Sequence, residues 1–264
     1  MTELRGQRWA VTGAAGNIGR ALRAHLADQG VALVSIDLRE PAAVSTDDHV
    51  LQTDIGDPAA LDVAFDGCDG VVHLAGIADE ADFHDLAEVN IVGTYHVLEA
   101  ARRAGVGRVV SAGSNRVTGA YDVDTIVDES MPPRPDGFYG VSKVAVEALS
   151  RLYADKFGLR TVVIRIGSYE AAPSTAREMR TWLSPADALR AFDAAMTTEL
   201  PHAVFYAVSA NRGRWWSAEA GEAVGFRPVD DAARHGPVDA IAPGTPQGGT
   251  YATAAYSLER MRAR

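Results

Sequence analysis

The chain has 264 residues, 47% of them hydrophobic and 23% charged, with a formal net charge of −10 at pH 7. That length and balance fit a globular protein able to bury a sizeable core. The negative charge argues against nucleic acid or an anionic membrane as partner, and any anionic ligand must be met by locally placed cations. The one cysteine, Cys68, has no second thiol to pair with, so a reducing, cytoplasmic setting is expected and Cys68 reads as a small buried side chain. The N-terminus lacks the charged-then-apolar pattern of a signal peptide, and no apolar run approaches the ~20 residues of a membrane span. No metal site is expected.

Arg8–Thr12 is a short apolar run that reads as a buried parallel strand. It leads into Gly13-Ala14-Ala15-Gly16-Asn17-Ile18-Gly19, at the start of a helix predicted over 17–29. In such a strand–turn–helix, Gly13 allows the tight turn and Gly16 the close approach of a pyrophosphate. Gly19 allows helix and strand to pack closely, the helix N-terminus supplies amides and positive dipole to the phosphates, and Ala15, Asn17 and Ile18 are counted with the glycines as cofactor-binding. A second strand, 31–37, ends at Asp37. A carboxylate there accepts hydrogen bonds from ribose hydroxyls and repels a 2′-phosphate, so NAD is expected over NADP, with Leu38 alongside. Arg39 is the neighbour that weighs against this preference.

A weak strand over 50–53 is followed by Asp54-Ile55, placed to border an adenine, and by a helix over 58–65. The strand 70–74 runs into Leu74-Ala75-Gly76, a turn expected to pass the nicotinamide side of the cofactor. Helix 80–104 follows, with Leu86, Val89, Asn90, Gly93, Val97 and Ala100 on its inward stripe. Strand 108–111 precedes Ser114. Helix 138–157 carries Tyr139 and Lys143 four residues apart, hence on one face. A Lys ammonium beside a phenol stabilises the phenolate, a general base that free tyrosine does not supply at neutral pH. Strand 161–166, ending at Ile166 beside the cofactor, and helix 185–197 complete the alternation. Residues 132–133 and 237–249 read as loops, and Trp182, Trp215 and Trp216 as core or lid aromatics. The alternation predicts an α/β protein with a Rossmann-type doubly wound parallel sheet. A single dinucleotide-binding domain over 1–264 is expected, with 168–264 contributing a small C-terminal substrate cap.

With the glycine turn, Asp37, Ser114 and Tyr139-x-x-x-Lys143 in this order, the chain resembles the extended short-chain dehydrogenase/reductase family over roughly residues 7–170. That family includes nucleotide-sugar epimerases and dehydratases. Further segments resemble the uronate dehydrogenases: His73-Leu74-Ala75-Gly76-Ile77, Gly113-Ser114-Asn115, Pro133-Arg134-Pro135-Asp136-Gly137 and Arg165-Ile166-Gly167-Ser168. So do Thr181-Trp182-Leu183-Ser184, Ser209-Ala210-Asn211 and Gln247-Gly248-Gly249-Thr250-Tyr251.

This resemblance implies NAD-dependent oxidation of C1 of galacturonate or glucuronate to an aldarolactone. It implies Tyr139 as general base, Lys143 tuning it and contacting the nicotinamide ribose, and Ser114 holding the reacting hydroxyl. Asn115, Ser168 and Arg177 fall at sugar-contacting positions, with Arg177 on the C6 carboxylate, Arg180 as its alternative and Tyr251 as an aromatic wall. Two departures stand out. Arg116 replaces the histidine of Ser-Asn-His, where it either adds a second carboxylate contact or fills space, and Ala78 replaces a serine. The competing readings are a nucleotide-sugar epimerase or dehydratase, which needs a larger C-terminal domain, and a non-catalytic dinucleotide sensor, which needs no Tyr/Lys pair. A homo-oligomer paired through helices 80–104 and 138–157 is expected by fold analogy.

Overall fold

In the computed structural model, which describes residues 4–262, seven strands form one sheet in the order β3-β2-β1-β4-β5-β6-β9. They are β1 (Arg8–Thr12), β2 (Ala32–Asp37), β3 (Asp48–Gln52), β4 (Gly70–His73), β5 (Arg108–Ser114), β6 (Arg160–Ile166) and β9 (His202–Ala207). Every neighbouring pair is parallel. A parallel sheet must be covered on both faces, and the strands alternate accordingly. Val11, Leu33, Val72 and Val110 point into one core, with Leu22 and Leu26 of α1 (Asn17–Asp28) and Phe192 of α7 (Pro185–Thr197). Ala10, Val34, Val71 and Val109 point into the other. There they meet Leu61 and Phe65 of α2 (Pro58–Phe65), Val97 and Leu98 of α4 (Gly93–Arg103) and Tyr153 of α5 (Phe138–Phe157). Burial of each such large side chain contributes roughly 1.5–3 kcal/mol. Cys68 lies in this second core, where burial pushes its thiol up to about 11.

The sheet reverses direction of winding between β1 and β4, so the C-terminal ends of both strands open onto one crevice. The expected helix 80–104 differs in detail. It starts at Phe83, capped by Asp82, and consists of α3 (Phe83–Leu86), a π-helical segment Ala87–Val92, and α4. Residues 80–82 belong instead to the loop before it, because the Asp82 side chain accepts the His84 N–H and ends the helix there.

Strand β9 was not among the predicted elements. Its run His-Ala-Val-Phe-Tyr-Ala follows Leu200-Pro201 and lies at the sheet edge, half-buried over its first three residues. The expected cap region therefore supplies α7 and β9 to the main body. Helix α8 (Glu219–Val224) packs with them, Val224 entering the first core. The remainder forms a layer over the C-terminal edge: β7 (Ser168–Tyr169) paired with β8 (Trp182–Leu183), α6 (Glu178–Thr181) and α9 (Ala254–Leu258). Trp182, Trp215 and Trp216 are all buried in this layer. Among the described residues no helix is long and apolar enough to cross a membrane.

His73, at the end of β4, is fully buried between Thr12 Oγ1 (2.8 Å from Nδ1) and Thr94 Oγ1 (3.0 Å from Nε2). Burial, reinforced by the Lys143 cation, drives its pKa down from 6.5 to about 3. The folded state thus holds the neutral ring while the unfolded chain takes up a proton below pH 6.5. The stabilisation is complete above that pH and is lost as the pH falls toward about 3, at about 1.4 kcal/mol per pH unit. Urea melts between pH 7 and pH 4 should show this slope, and His73→Gln should flatten it; parallel slopes in the two proteins would rule out His73 as the source.

Candidate active site

The crevice is built from strand ends. At the end of β1, Gly13 adopts φ +72°, and a Cβ there would lie 2.6 Å from Ala75 N. A Cβ on Gly19 would lie 2.3 Å from Gly13 O, so only glycine lets α1 start so close to the turn. Helix α1 has Gly16 at its N-cap with no side-chain cap, which leaves its first amides pointing at the crevice. At the end of β2, Asp37 Oδ2 accepts the Ala15 N–H (2.9 Å) and Oδ1 accepts the Arg39 N–H (3.0 Å). Leu38 beside it is exposed, and the Arg39 guanidinium stands 4.0 Å from Asp37 Oδ1.

After β3, Asp54 closes a turn by accepting the Gly56 N–H, and Ile55 is buried against Gly93. After β4, Leu74 and Ala75 pass directly over Gly13, and Gly76 follows where a Cβ would lie 2.8 Å from Asn90 Oδ1. The buried Asn90 of the π-helical segment braces this turn. Its Oδ1 accepts the Ile77 N–H (2.8 Å), while its Nδ2 donates to Ile77 O and to Ser142 Oγ (both 3.0 Å). A π-helical turn inserts an extra residue, and here it brings a polar side chain onto an otherwise apolar stripe. The inward position of Asn90 was legible in the sequence; its bracing role was not.

Ser114, Asn115 and Arg116 follow β5 directly. Ser114 caps the short turn Asn115–Thr118, its Oγ accepting the Arg116 N–H at 3.2 Å. Tyr139 and Lys143 face the same crevice from the first two turns of α5, both buried. Burial pushes the Tyr139 phenol up to about 12, with the Ser114 hydroxyl and the Arg116 guanidinium pulling down and Asp79 and Asp136 pushing up. Burial pulls Lys143 down to about 8, and its Nζ donates to Ala112 O at 3.0 Å. The groups that bear most on the phenol are therefore Ser114 and Arg116, whereas Lys143 stands 5.7 Å from the ring centre.

The residues that sequence reasoning missed surround Arg116. Glu80 accepts the backbone N–H groups of Phe138 (2.8 Å) and Tyr139 (3.1 Å), capping α5 from a distant loop. Arg116 reaches three carboxylates: Asp136 through Nε (2.8 Å), Asp79 through one terminal nitrogen (2.8 Å) and Glu80 through the other (3.4 Å). The C-terminal segment closes over them, Tyr256 donating to Asp79 (2.6 Å) and Ser257 to Glu80 (2.8 Å). No local pattern signals these pairings, since the partners lie 177 residues apart.

Tyr251 stands between two guanidinium groups, Arg116 at 4.5 Å and Arg177 at 5.1 Å from its ring centre. Arg177 donates to Gln247 O (2.8 Å) and Ser168 Oγ (3.3 Å), and Ser168 also bonds Thr181 Oγ1 (2.7 Å). Among the described residues Arg177 forms no ion pair, and it lines a cavity of about 450 Å³ with Tyr251, Trp215 and Ile241. Arg180 instead donates to the Ala176 and Asp239 carbonyls. Ile166 ends β6 beside Ser114 in register.

The family model for the NAD dependent epimerase/dehydratase family matches residues 9–183. The chain belongs to that family. A uronate dehydrogenase of Pseudomonas syringae pv. tomato is 38% identical over 227 residues, covering 85% of this chain and 82% of that protein. An L-arabinose 1-dehydrogenase (NAD(P)(+)) of Haloferax volcanii is 39% identical over 254 residues, covering 86% and 98%. Among solved structures, a tyrosine-to-alanine variant of uronate dehydrogenase from Agrobacterium tumefaciens complexed with NAD superposes with a TM-score of 0.85. It is 36% identical and covers 93% of this chain and 97% of that one.

The crevice suits the dinucleotide after which this family is named: a glycine cradle that a Cβ would fill, a start of α1 with no side-chain cap among the described residues, and a carboxylate at the end of β2. Asp37→Ala should weaken NAD by about tenfold and narrow the NAD-over-NADP ratio. Calorimetric titration with both dinucleotides checks this, and an unchanged ratio would remove Asp37 from the site.

Proposed function

We propose that this member of the family is an NAD-dependent dehydrogenase that oxidises C1 of a free hexuronic acid, such as galacturonate or glucuronate, to an aldarolactone. The observation that carries the substrate class is Arg177, a cation without a carboxylate partner among the described residues, next to Ser168 and Tyr251. In a chain of net charge −10 such a cation is a place for an anion, and a guanidinium matches a carboxylate bidentately. The uronate dehydrogenase relatives and the NAD-bound structure support the same reading.

In this mechanism NAD, when bound, supplies the hydride acceptor. Tyr139 Oη takes the proton of the C1 hydroxyl, and the Ser114 hydroxyl holds that oxygen near the phenol. Lys143 keeps a cation one helical turn from Tyr139 and contacts the cofactor ribose. Asn115 and Ser168 bond sugar hydroxyls, and Arg177 receives the C6 carboxylate. Sequestering the reacting centre among the buried Ser114, Asn115, Tyr139 and Lys143 fixes the geometry that general-base transfer needs. A cytoplasmic setting and a homo-oligomer joined through α4 and α5 belong to the same proposal.

A substrate panel tests it: NADH formation with galacturonate, glucuronate, L-arabinose, glucose 6-phosphate and a UDP-sugar. Turnover of a free uronate is expected; turnover of the UDP-sugar alone would favour an epimerase or dehydratase, and of L-arabinose alone a neutral-sugar enzyme. Tyr139→Phe should lower kcat by about 10²–10⁴-fold with NAD binding intact, and Arg177→Ala should chiefly raise KM for the uronate. The pH dependence follows from the two buried groups. The phenolate fraction grows as pH rises toward about 12, while Lys143 holds its charge only up to about 8. kcat/KM should therefore climb with pH below about 8, and a flat profile there would contradict the base assignment.

A further inference from the structure

Arg116 stands where the resemblance to uronate dehydrogenases leads one to expect histidine, and its surroundings give it a different employment from binding sugar. Every nitrogen of the guanidinium faces a carboxylate of the protein itself: Asp136, Asp79 and Glu80. The side chain is 7% exposed. Its backbone N–H holds Ser114 Oγ, and its guanidinium carbon lies 5.2 Å from the centre of the Tyr139 ring. One residue thus stands against both Ser114 and the proposed base, Tyr139.

The charges that face the Tyr139 phenol come from every element around it. Asp79 and Glu80 lie in the loop before α3, Asp136 in the loop before α5, Lys143 on α5 itself, and Arg116 after β5. The C-terminal segment adds Tyr251 and Tyr256, which contact Arg116 through their rings. Three acids stand against Arg116 and Lys143, 5.2 and 5.7 Å from the Tyr139 ring centre, and Arg177 acts on Asp136 and Arg116 from the start of α6. Asp136 Oδ2 is buried with no hydrogen-bond partner among the described residues, whereas Glu80 also accepts from Phe138, Tyr139 and Ser257, and Asp79 from Tyr256.

We propose that Arg116 is a positioning residue for the C1 oxidation: anchored by Asp136, Asp79 and Glu80, it offsets their charge at Tyr139 and holds Ser114 against it. This rests on Tyr139 being the base. It assigns the Arg-for-His departure to tuning of the base, and leaves recognition of the carboxylate to Arg177. The direction is consistent with the phenol being lowered by Arg116 and raised by Asp79 and Asp136.

The test compares pH profiles of kcat and kcat/KM for galacturonate and glucuronate oxidation with NAD, using the whole chain. Arg116→Gln should move the rising limb about one pH unit toward base, with KM changed less than kcat. Asp79→Asn keeps a hydrogen-bonding side chain of the same shape and removes one negative charge, so it should move the limb toward acid. Opposite shifts from two contacting residues are not produced by a merely structural role. If Arg116→Gln does not fold, Arg116→Lys, which keeps the charge but not the planar fork, should retain the parent limb with a lower kcat, and Asp79→Asn alone still decides the sign.

Superimposable profiles with a raised KM for the uronate would overturn the proposal and return Arg116 to the substrate site. So would an Asp79→Asn profile that does not move. Tyr139→Phe separates the two levels: a variant as active as the parent brings down the base assignment itself. An inactive Tyr139→Phe together with unshifted Arg116 and Asp79 profiles brings down only the role of Arg116.

Discussion

The Glu80 carboxylate is the constraint on which the site depends. Helix α5 begins after Gly137, which is extended and has no side chain to offer its first amides. Those orphan donors are met by a carboxylate from a loop fifty-eight residues earlier in sequence. The same group accepts from Ser257 and pairs with Arg116. A Cβ on Gly137 would lie 2.4 Å from Glu80 Oε2, so the cap also requires glycine at that position. A buried carboxylate is tolerable only when its lone pairs are filled, and here the filling fixes a helix start, a cation and the C-terminal segment together.

How much of this was legible in the sequence follows from the range of the interactions. The cofactor crevice depends on local turns: Gly13 to Gly19 in one loop, Asp37 at one strand end, Leu74 to Gly76 at another. Short-range chemistry leaves a short-range pattern, and all three stand at the expected edge of the sheet. The inward stripe of Leu86, Asn90, Gly93, Val97 and Ala100 was visible for the same reason. The substrate side is assembled otherwise. Arg177 meets Gln247 seventy residues away, and Tyr256 and Ser257 return to Asp79 and Glu80 from near the end of the chain. Single-sequence spacing carries no trace of such closures. Strand β9 does carry an uninterrupted apolar run, Ala203–Val208, but it lies in the last third of the chain, where loops and short elements break the strand–helix alternation that marks the other strands.

Three arginines near the substrate side have three fates, which composition alone would not separate. Arg116 faces three carboxylates, Arg180 spends its donors on backbone carbonyls, and Arg177 bonds a hydroxyl and a carbonyl, with no acid among the described residues. An acidic protein that handles an anion needs a cation its own acids do not quench. Arg177 has no carboxylate at ion-pair distance among the described residues; Asp136 and Glu178 act on it only from farther away, and its guanidinium packs against the Tyr251 ring.

The π-helical segment Ala87–Val92 has a consequence for how the chain tolerates change in length. Upstream of it, Asp82 and α3 begin the helix; downstream, α4 sets Val97, Leu98, Ala100 and Ala101 into the core. Each residue of a regular helix turns about 100°. A deletion within α4 would therefore swing Val97, Leu98, Ala100 and Ala101 out of the core. A deletion within the π-helical segment acts differently, because a π-turn accommodates one residue more than an α-turn: the segment closes to ordinary helix while α3 and α4 keep their phase. What is lost is the extra position that carries the Asn90 amide to the Ile77 turn. The segment is thus a phase joint, where a single-residue deletion removes the brace of the cofactor turn and spares the hydrophobic core.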